Sequence, residues 1–415
     1  MRSTAPVIDL PRLQRLLEGV NAFGFNAVTG GYNRTGYSPE DMAVRDWFAA
    51  QMREDGLAVS RDGVNNLFGR YGPAEGACVM AGSHLDTVPE GGAFDGSLGV
   101  CVALECVRAL RDAGIEPRTA IVVVATAEEE GRFGGMLGSQ TIAGVVDPGW
   151  LDRASDSDGV QLTDAMAAQG LDAQDALASA WPKGSIRAFL ELHIEQGPVL
   201  ERQAIPIGIV EGISGVCNLQ VRYEGTANHS GTTPMEMRAD AFAGLAAFAA
   251  GIPEILGASG VPGTSRITIG KVEIHPNFPH TIPGVAEFLI NIRDTSEAVM
   301  RALRAACLER IEATAQAHGL AHTVAEKSWL SPVTLDPDLR ETMRAEADRL
   351  GYKALVMPSG AGHDAQTMQS LCPSGMIFIP SRAGISHAPE EWSDWADIEK
   401  GAQLMLNTLT RLSTG

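Results

Sequence analysis

The sequence predicts an α/β domain laid down in two pieces, residues 1–212 and 331–415, with a smaller α+β domain, residues 213–330, inserted between them. Short apolar, β-rich runs alternate with helix-period stretches before 212. The order then changes to βαββαβ, and βα character returns beyond Pro332. A chain of 415 residues calls for two or three domains at roughly 150 residues each. A hydrophobic fraction of 45% is enough to build their cores.

In chain order, 77–83, 119–126, 188–194 and 376–380 read as strands. Residues 98–113 read as a helix with Val102, Cys106, Ala109 and Leu110 on one face. Such alternation predicts a largely parallel sheet with helices on both faces. The stretch 147–185, rich in Asp, Ala and Ser, carries two short helical patterns and reads as an excursion from the core. In the inserted domain 216–223 reads as a strand, 235–250 as a helix, 266–274 and 286–293 as strands, 296–318 as a helix and 320–329 as the last strand. That order is the ferredoxin-like unit. Gly-Ile-Ser-Gly at 212–215 and Ser331-Pro332 supply the hinges.

Lys and Arg number 32 against 51 Asp and Glu, a formal charge of −19, which argues against nucleic acid or an anionic membrane as the main partner. No apolar run approaches the roughly 18 residues of a membrane helix. Asp9 and Pro11 stand where a signal peptide would carry its apolar stretch, so a cytoplasmic protein is expected. Six cysteines without a C-x-x-C pair read as buried small hydrophobes.

The chemistry-bearing residues gather where strands end. His84 and Asp86, in Gly82-Ser83-His84-Leu85-Asp86-Thr87, read either as a metal-binding imidazole with a carboxylate partner or as a turn with a capping aspartate. Asp95 reads either as the N-cap of the next helix or as a carboxylate bridging two metals. Glu128, Glu129 and Glu130 follow the run 121–125, as a solvated helix start or as a metal ligand beside a general base. His193 and His387 follow two further strands. Packing needs alone do not put a His or a carboxylate after every main strand.

The segments H-L-D-T-V, F-D-G, A-E-E-E-G, H-I-E-Q-G-P-V-L-E, N-H-S-G-T-T-P-M-x-x-R-x-D, S-G-A-G-H-D-A and G-I-S-H occur in this order between about residue 24 and residue 408. Together they resemble the hydantoinase/carbamoylase amidases of the aminoacylase and carboxypeptidase superfamily of two-metal hydrolases. The resemblance implies a two-metal exopeptidase-like catalytic domain with an inserted lid and dimerisation domain. It implies His84, Asp95, Glu130, His193 and His387 as ligands, with Asp95 bridging two divalent ions (Zn, Mn, Co or Ni). Glu129 matches the general base, Asp86 the residue that orients His84, and Glu128 a bystander.

By the same resemblance, His229 stabilises the oxyanion in the partner subunit of a homodimer, and Arg293 holds the substrate carboxylate. Gln196 contacts the ureido group, and Gly360 and Gly362 offer backbone N–H groups. From the residues alone, His229 reads as a surface histidine and Arg293 as a surface partner of Asp294 or Glu297. His363 reads as support for the Gly-Ala-Gly loop. His280 stands where many relatives carry Asn, which alters the hydrogen bonds offered to substrate. The expected reaction is hydrolysis of an N-carbamoyl-L-amino acid to amino acid, ammonia and carbon dioxide. The alternatives are allantoate and another N-acyl amino acid amide.

Overall fold

The computed structural model describes residues 5–258 and 263–415, so residues 1–4 of the stretch read for a leader lie outside the described residues. The strands are β1 (Ala58–Arg61), β2 (Leu67–Tyr71), β3 (Cys78–His84), β4 (Ala120–Thr126), β5 (Ile186–Ile194), β6 (Ile207–Ile213), β7 (Gly215–Glu224), β8 (Arg266–His275), β9 (Val285–Asp294), β10 (Ala321–Leu330), β11 (Val333–Thr334), β12 (Ala354–Ser359) and β13 (Ser374–Ile379). They fall into two compact units. The first runs to Glu211 and includes Leu335–Met357 and Gly362–Gly415; the second is Gly212–Thr334 with Pro358–Ala361.

The first unit is a mixed sheet in the order β1-β2-β4-β3-β5-β13-β6, with β12 pairing β6. Its centre, β4-β3-β5-β13, is parallel, whereas β2 and β6 join it antiparallel. Of these, β3 and β4 are buried along their whole length, which is why they read as near-continuous apolar runs. Helices Ser97–Asp112 and Trp395–Thr414 share a core with Val79, Ala81, Ile121, Val123, Leu190 and Leu192. The excursion forms helices Pro148–Leu151 and Leu162–Ala168 and a 3-10 turn, Ala173–Ala178. Because the four central strands run the same way, their carboxyl ends lie along one edge of the sheet, where ligands of open α/β sheets bind.

The second unit is an antiparallel sheet in the order β10-β7-β9-β8. Alternation buries Cys217, Leu219, Val221 and Tyr223 of β7 and Ala286, Phe288, Ile290 and Ile292 of β9. These side chains pack with Phe248 and with Met300, Leu303, Cys307 and Ile311 of helix Glu297–Ala317. Truncating a buried aromatic such as Phe288 there would cost about 3–5 kcal/mol. The helix predicted over 235–250 is broken. Asp240 accepts from the N–H groups of Phe242 and Ala243 and caps a helix that starts only at Ala241, after a 3-10 turn at Met235–Met237.

All six cysteines are buried and free. Among the described residues no helix is long and apolar enough to cross a membrane.

Candidate metal centre

Four loops at the carboxyl ends of the central strands bring His84, Asp95, Glu129, Glu130, His193 and His387 together. Asp95 lies at the middle. Its Oδ1 is 3.0 Å from His193 Nε2 and 3.5 Å from His84 Nε2. Its Oδ2 is 3.4 Å from His387 Nε2, which in turn is 3.4 Å from Glu130 Oε2. Two ligand-like groups therefore share Asp95: His84–Asp95–His193 and Asp95–Glu130–His387. Glu129 Oε2 lies 3.5 Å from His84 Nε2.

The backbone explains why Asp95 is available. Helix Ser97–Asp112 begins at Gly96 with no side-chain cap, so Asp95 is not spent as an N-cap. Gly96 has φ +61°, and a Cβ there would lie 2.3 Å from the His84 ring, so glycine lets the loop pass over the imidazole. Instead of capping the helix, Asp95 Oδ2 accepts from Gln196 Nε2 at 2.7 Å and from Ser386 Oγ at 3.0 Å. Glu128, Gln196 and His387 all adopt positive φ without being glycine, a local strain of the kind that clusters at functional loops.

Main-chain oxygens set the tautomers. His193 Nδ1 lies 2.9 Å from Ile194 O, and His84 Nδ1 lies 3.0 Å from Asp86 O. Each Nδ1 therefore carries a proton toward its carbonyl, which leaves Nε2, the nitrogen facing Asp95, as the one that exchanges a proton for a cation. The Asp86 carboxylate, read from the sequence as the orienting group, accepts instead from the Glu130 N–H at 3.1 Å.

The electrostatics follow from crowding. Burial alone would raise the Asp95 carboxyl, but His193, His387 and His84 outweigh it and hold it well below the usual range. Burial would lower His84, yet Glu129, Asp95, Asp86 and Glu130 raise it well above its ordinary value. Burial, with help from Asp364 and Glu130, pushes Glu129 well up despite His84. Glu130 is pushed up to about 7 by burial and Asp95. The Asp95 hydrogen bond, against burial, pushes His387 up to about 9.

Several further side chains and loops surround these residues. Glu128 is buried, accepts from the N–H groups of Phe133 and Gly135, and pins the turn that follows. His363 is buried with its ring 4.5 Å from that of His193, and with Glu191 and His193 it forms a third group of ligand-type side chains. A Cβ at Gly362 would meet the Met136 methyl at 2.5 Å. Sequence reasoning missed Glu191, which accepts from Ser83 Oγ and Ala365 N–H, and Glu391, which accepts from the N–H groups of Phe94 and Asp95. The pair Glu390-Glu391, shortly after His387, was the available signal for the second.

The second unit carries His229, His280, Arg293 and Gly360. His229 and His280 are exposed and sit on paired loops: Ser230 N–H donates to His280 O, and His229 bridges to Thr281. His229 Nδ1 accepts from Gly231 N–H at 3.0 Å, which places the ring proton on Nε2. Arg293 does not pair with Asp294 or Glu297. Its Nε donates to Asn291 Oδ1 at 2.9 Å and its Nη1 to Gly360 O at 2.6 Å. Asp294 is occupied by Ser265 and Ser296. Gly360, read as an N–H donor, meets Arg293 through its carbonyl.

Comparison with known proteins places this geometry in a family. Residues 80–411 match the model of peptidase family M20/M25/M40. An N-carbamoyl-L-amino acid amidohydrolase of Geobacillus stearothermophilus is 36% identical over 93% of this chain and 95% of its own. An allantoate amidohydrolase of Escherichia coli is 35% identical over 97% of both. A hydantoinase/carbamoylase family amidase from Burkholderia multivorans superposes with a TM-score of 0.91 at 32% identity, over 99% of this chain and 100% of that one. The chain belongs to the peptidase M20/M25/M40 family, beside the hydantoinase/carbamoylase amidases.

Proposed function

We propose that the protein is a metal-dependent amidohydrolase that cleaves the ureido C–N bond of an N-carbamoyl-L-amino acid, releasing amino acid, ammonia and carbon dioxide. The observation that carries the proposal is Asp95, one buried carboxylate shared by a His84/His193 group and a Glu130/His387 group. The residues fit divalent cations on their own geometry. With Nδ1 tied to a main-chain carbonyl, His84 and His193 each turn Nε2 toward the Asp95 carboxylate, where a cation would take the place of the proton shared between them. Mixed nitrogen and oxygen donors without thiolate suit Zn, Mn, Co or Ni.

Such ions, when bound, make a water more acidic and polarise the carbonyl it attacks. Glu129, beside the ligands, takes the proton of the attacking water and passes one to the leaving nitrogen. The Gln196 amide, tethered to Asp95 through Nε2, faces the ureido group with its oxygen. His229, with its proton on Nε2, donates to the developing oxyanion, a contribution of about 3–4 kcal/mol for donors of this kind. We assign that histidine to the partner subunit of a homodimer. Among the described residues no carboxylate lies in ion-pair reach of Arg293, and its planar fork anchors the substrate carboxylate. His280, on the loop paired with that of His229, tunes which amide is accepted.

The equally long match to an allantoate amidohydrolase favours a second reading, the same chemistry on allantoate. Incubating metal-reconstituted enzyme with N-carbamoyl-L-amino acids, β-ureidopropionate, allantoate and N-acetyl amino acids separates these readings. Ammonia from one ureido acid, lost by about 100-fold or more in Glu129→Gln, is the expected outcome. Amine release from an N-acetyl compound alone would replace the ureido reading, and silence on every compound would remove it.

A further inference from the structure

Glu391 is 2% exposed and forms part of no ligand group, yet its carboxylate is fully engaged. Oε1 accepts from the N–H groups of Phe94 at 2.9 Å and Asp95 at 3.0 Å. Oε2 accepts from Ser386 Oγ at 2.7 Å, and that hydroxyl also lies 3.0 Å from Asp95 Oδ2. The loop is shaped to admit the carboxylate: a Cβ on Gly92 would fall 2.2 Å from it. One side chain thus binds the main chain of the loop bearing Asp95 and the residue next to His387.

We propose that Glu391 is a positioning residue that fixes Asp95 and His387 in a single frame and so sets the cation affinity of both groups. The inference rests on the metal-site reading above. Its physics is a matter of unpaired donors. Without Glu391 two buried N–H groups of the Asp95 loop lose their acceptor, which the loop relieves by moving. Asp95 serves both ligand groups, so one displacement spoils both. The Ser386 hydroxyl has one proton and faces two carboxylates. A glutamine at 391 keeps an acceptor for the two N–H groups, donates its amide proton to Ser386 Oγ and releases the hydroxyl proton to Asp95. Glu391→Gln therefore preserves the frame, while Glu391→Ala destroys it.

The test is a calorimetric titration of metal-stripped wild type, Glu391→Ala, Glu391→Gln and Ser386→Ala with cobalt(II), alongside thermal unfolding of each metal-stripped protein. We expect cobalt affinity about 10–100-fold weaker in Glu391→Ala, the range for outer groups that orient ligands, and within about threefold of wild type in Glu391→Gln. Affinity unchanged in Glu391→Ala, with only a lower unfolding midpoint, would make Glu391 a packing residue and overturn the proposal. Equal losses in the Ala and Gln variants would also overturn it, because charge rather than the hydrogen-bonded frame would then be responsible. Should Glu391→Ala not fold, Ser386→Ala decides: a loss of about threefold or more supports the clamp, and no loss overturns it. Failure of wild type to take up cobalt would instead remove the metal-site reading.

Discussion

The main-chain carbonyl of Asp86, not its carboxylate, holds the ring of His84. Nδ1 lies 3.0 Å from the carbonyl oxygen and 3.9 Å from Oδ1. The carboxylate faces elsewhere: Oδ2 takes the Glu130 N–H, and Oδ1 lies 3.7 Å from Arg45 Nη2. Arg45 itself donates to Ala125 O and Thr126 O at the end of β4, so Asp86 belongs to a buried frame joining the His84 and Glu130 loops.

Asp86→Asn follows from this directly. The carbonyl remains, and the amide oxygen still accepts from Glu130. Metal content of the purified variant should match wild type within about twofold, rather than showing the ~10–100-fold affinity loss seen where a carboxylate orients the imidazole. Loss of metal in Asp86→Asn would return the orienting role to the carboxylate.

Metal uptake should depend on pH with a defined sign. His387, pushed up to about 9 chiefly by its hydrogen bond to Asp95, and Glu130, pushed up to about 7 by burial, both hold protons at neutral pH or just below. A cation needs their lone pairs and must displace those protons. Apparent affinity of the metal-stripped protein should therefore rise with pH from about 6 to about 9, by about tenfold per unit for each proton displaced. Calorimetry in buffers of different ionisation enthalpy measures the protons released. An affinity flat over that range would contradict the assignment of His387 and Glu130 as ligands.

The proposed homodimer makes a prediction about mixed protomers. His229→Ala and Glu129→Gln should each be nearly inactive alone. If His229 serves the partner's site, co-expressing them yields dimers in which one site has both an intact Glu129 and an intact His229. Activity should return to a substantial fraction of wild type. Mixed dimers as inactive as either parent would place His229 in the site of its own chain.

Much of this architecture was legible because both domains obey simple periodicities. β3 and β4 are apolar over most of their length and lead into His84 and the acids after Thr126, and β5 carries His193 one residue before its end. The alternation of β7 and β9 marks a sheet with one buried face. Edges were harder to read. β1 is largely exposed, β2 only partly buried, and the helix expected from Met235 is reset by Asp240, a capping event decided by one side chain. The ligand-type residues stood out because their chemistry is unusual at strand ends. The groups that hold them did not: Glu391 meets the Asp95 N–H across 296 positions, and the acceptor for His84 is a carbonyl, which no residue identity reveals.

In the proposed centre one carboxylate, Asp95, serves two cations, so the most direct measurement is metal per chain after reconstitution and desalting, by mass spectrometry of wild type, His387→Ala and Asp95→Ala. The expected result is two ions in wild type, one in His387→Ala and fewer than one in Asp95→Ala, with circular dichroism unchanged. A wild type that holds a single ion, or an Asp95→Ala protein that still holds two, would contradict it.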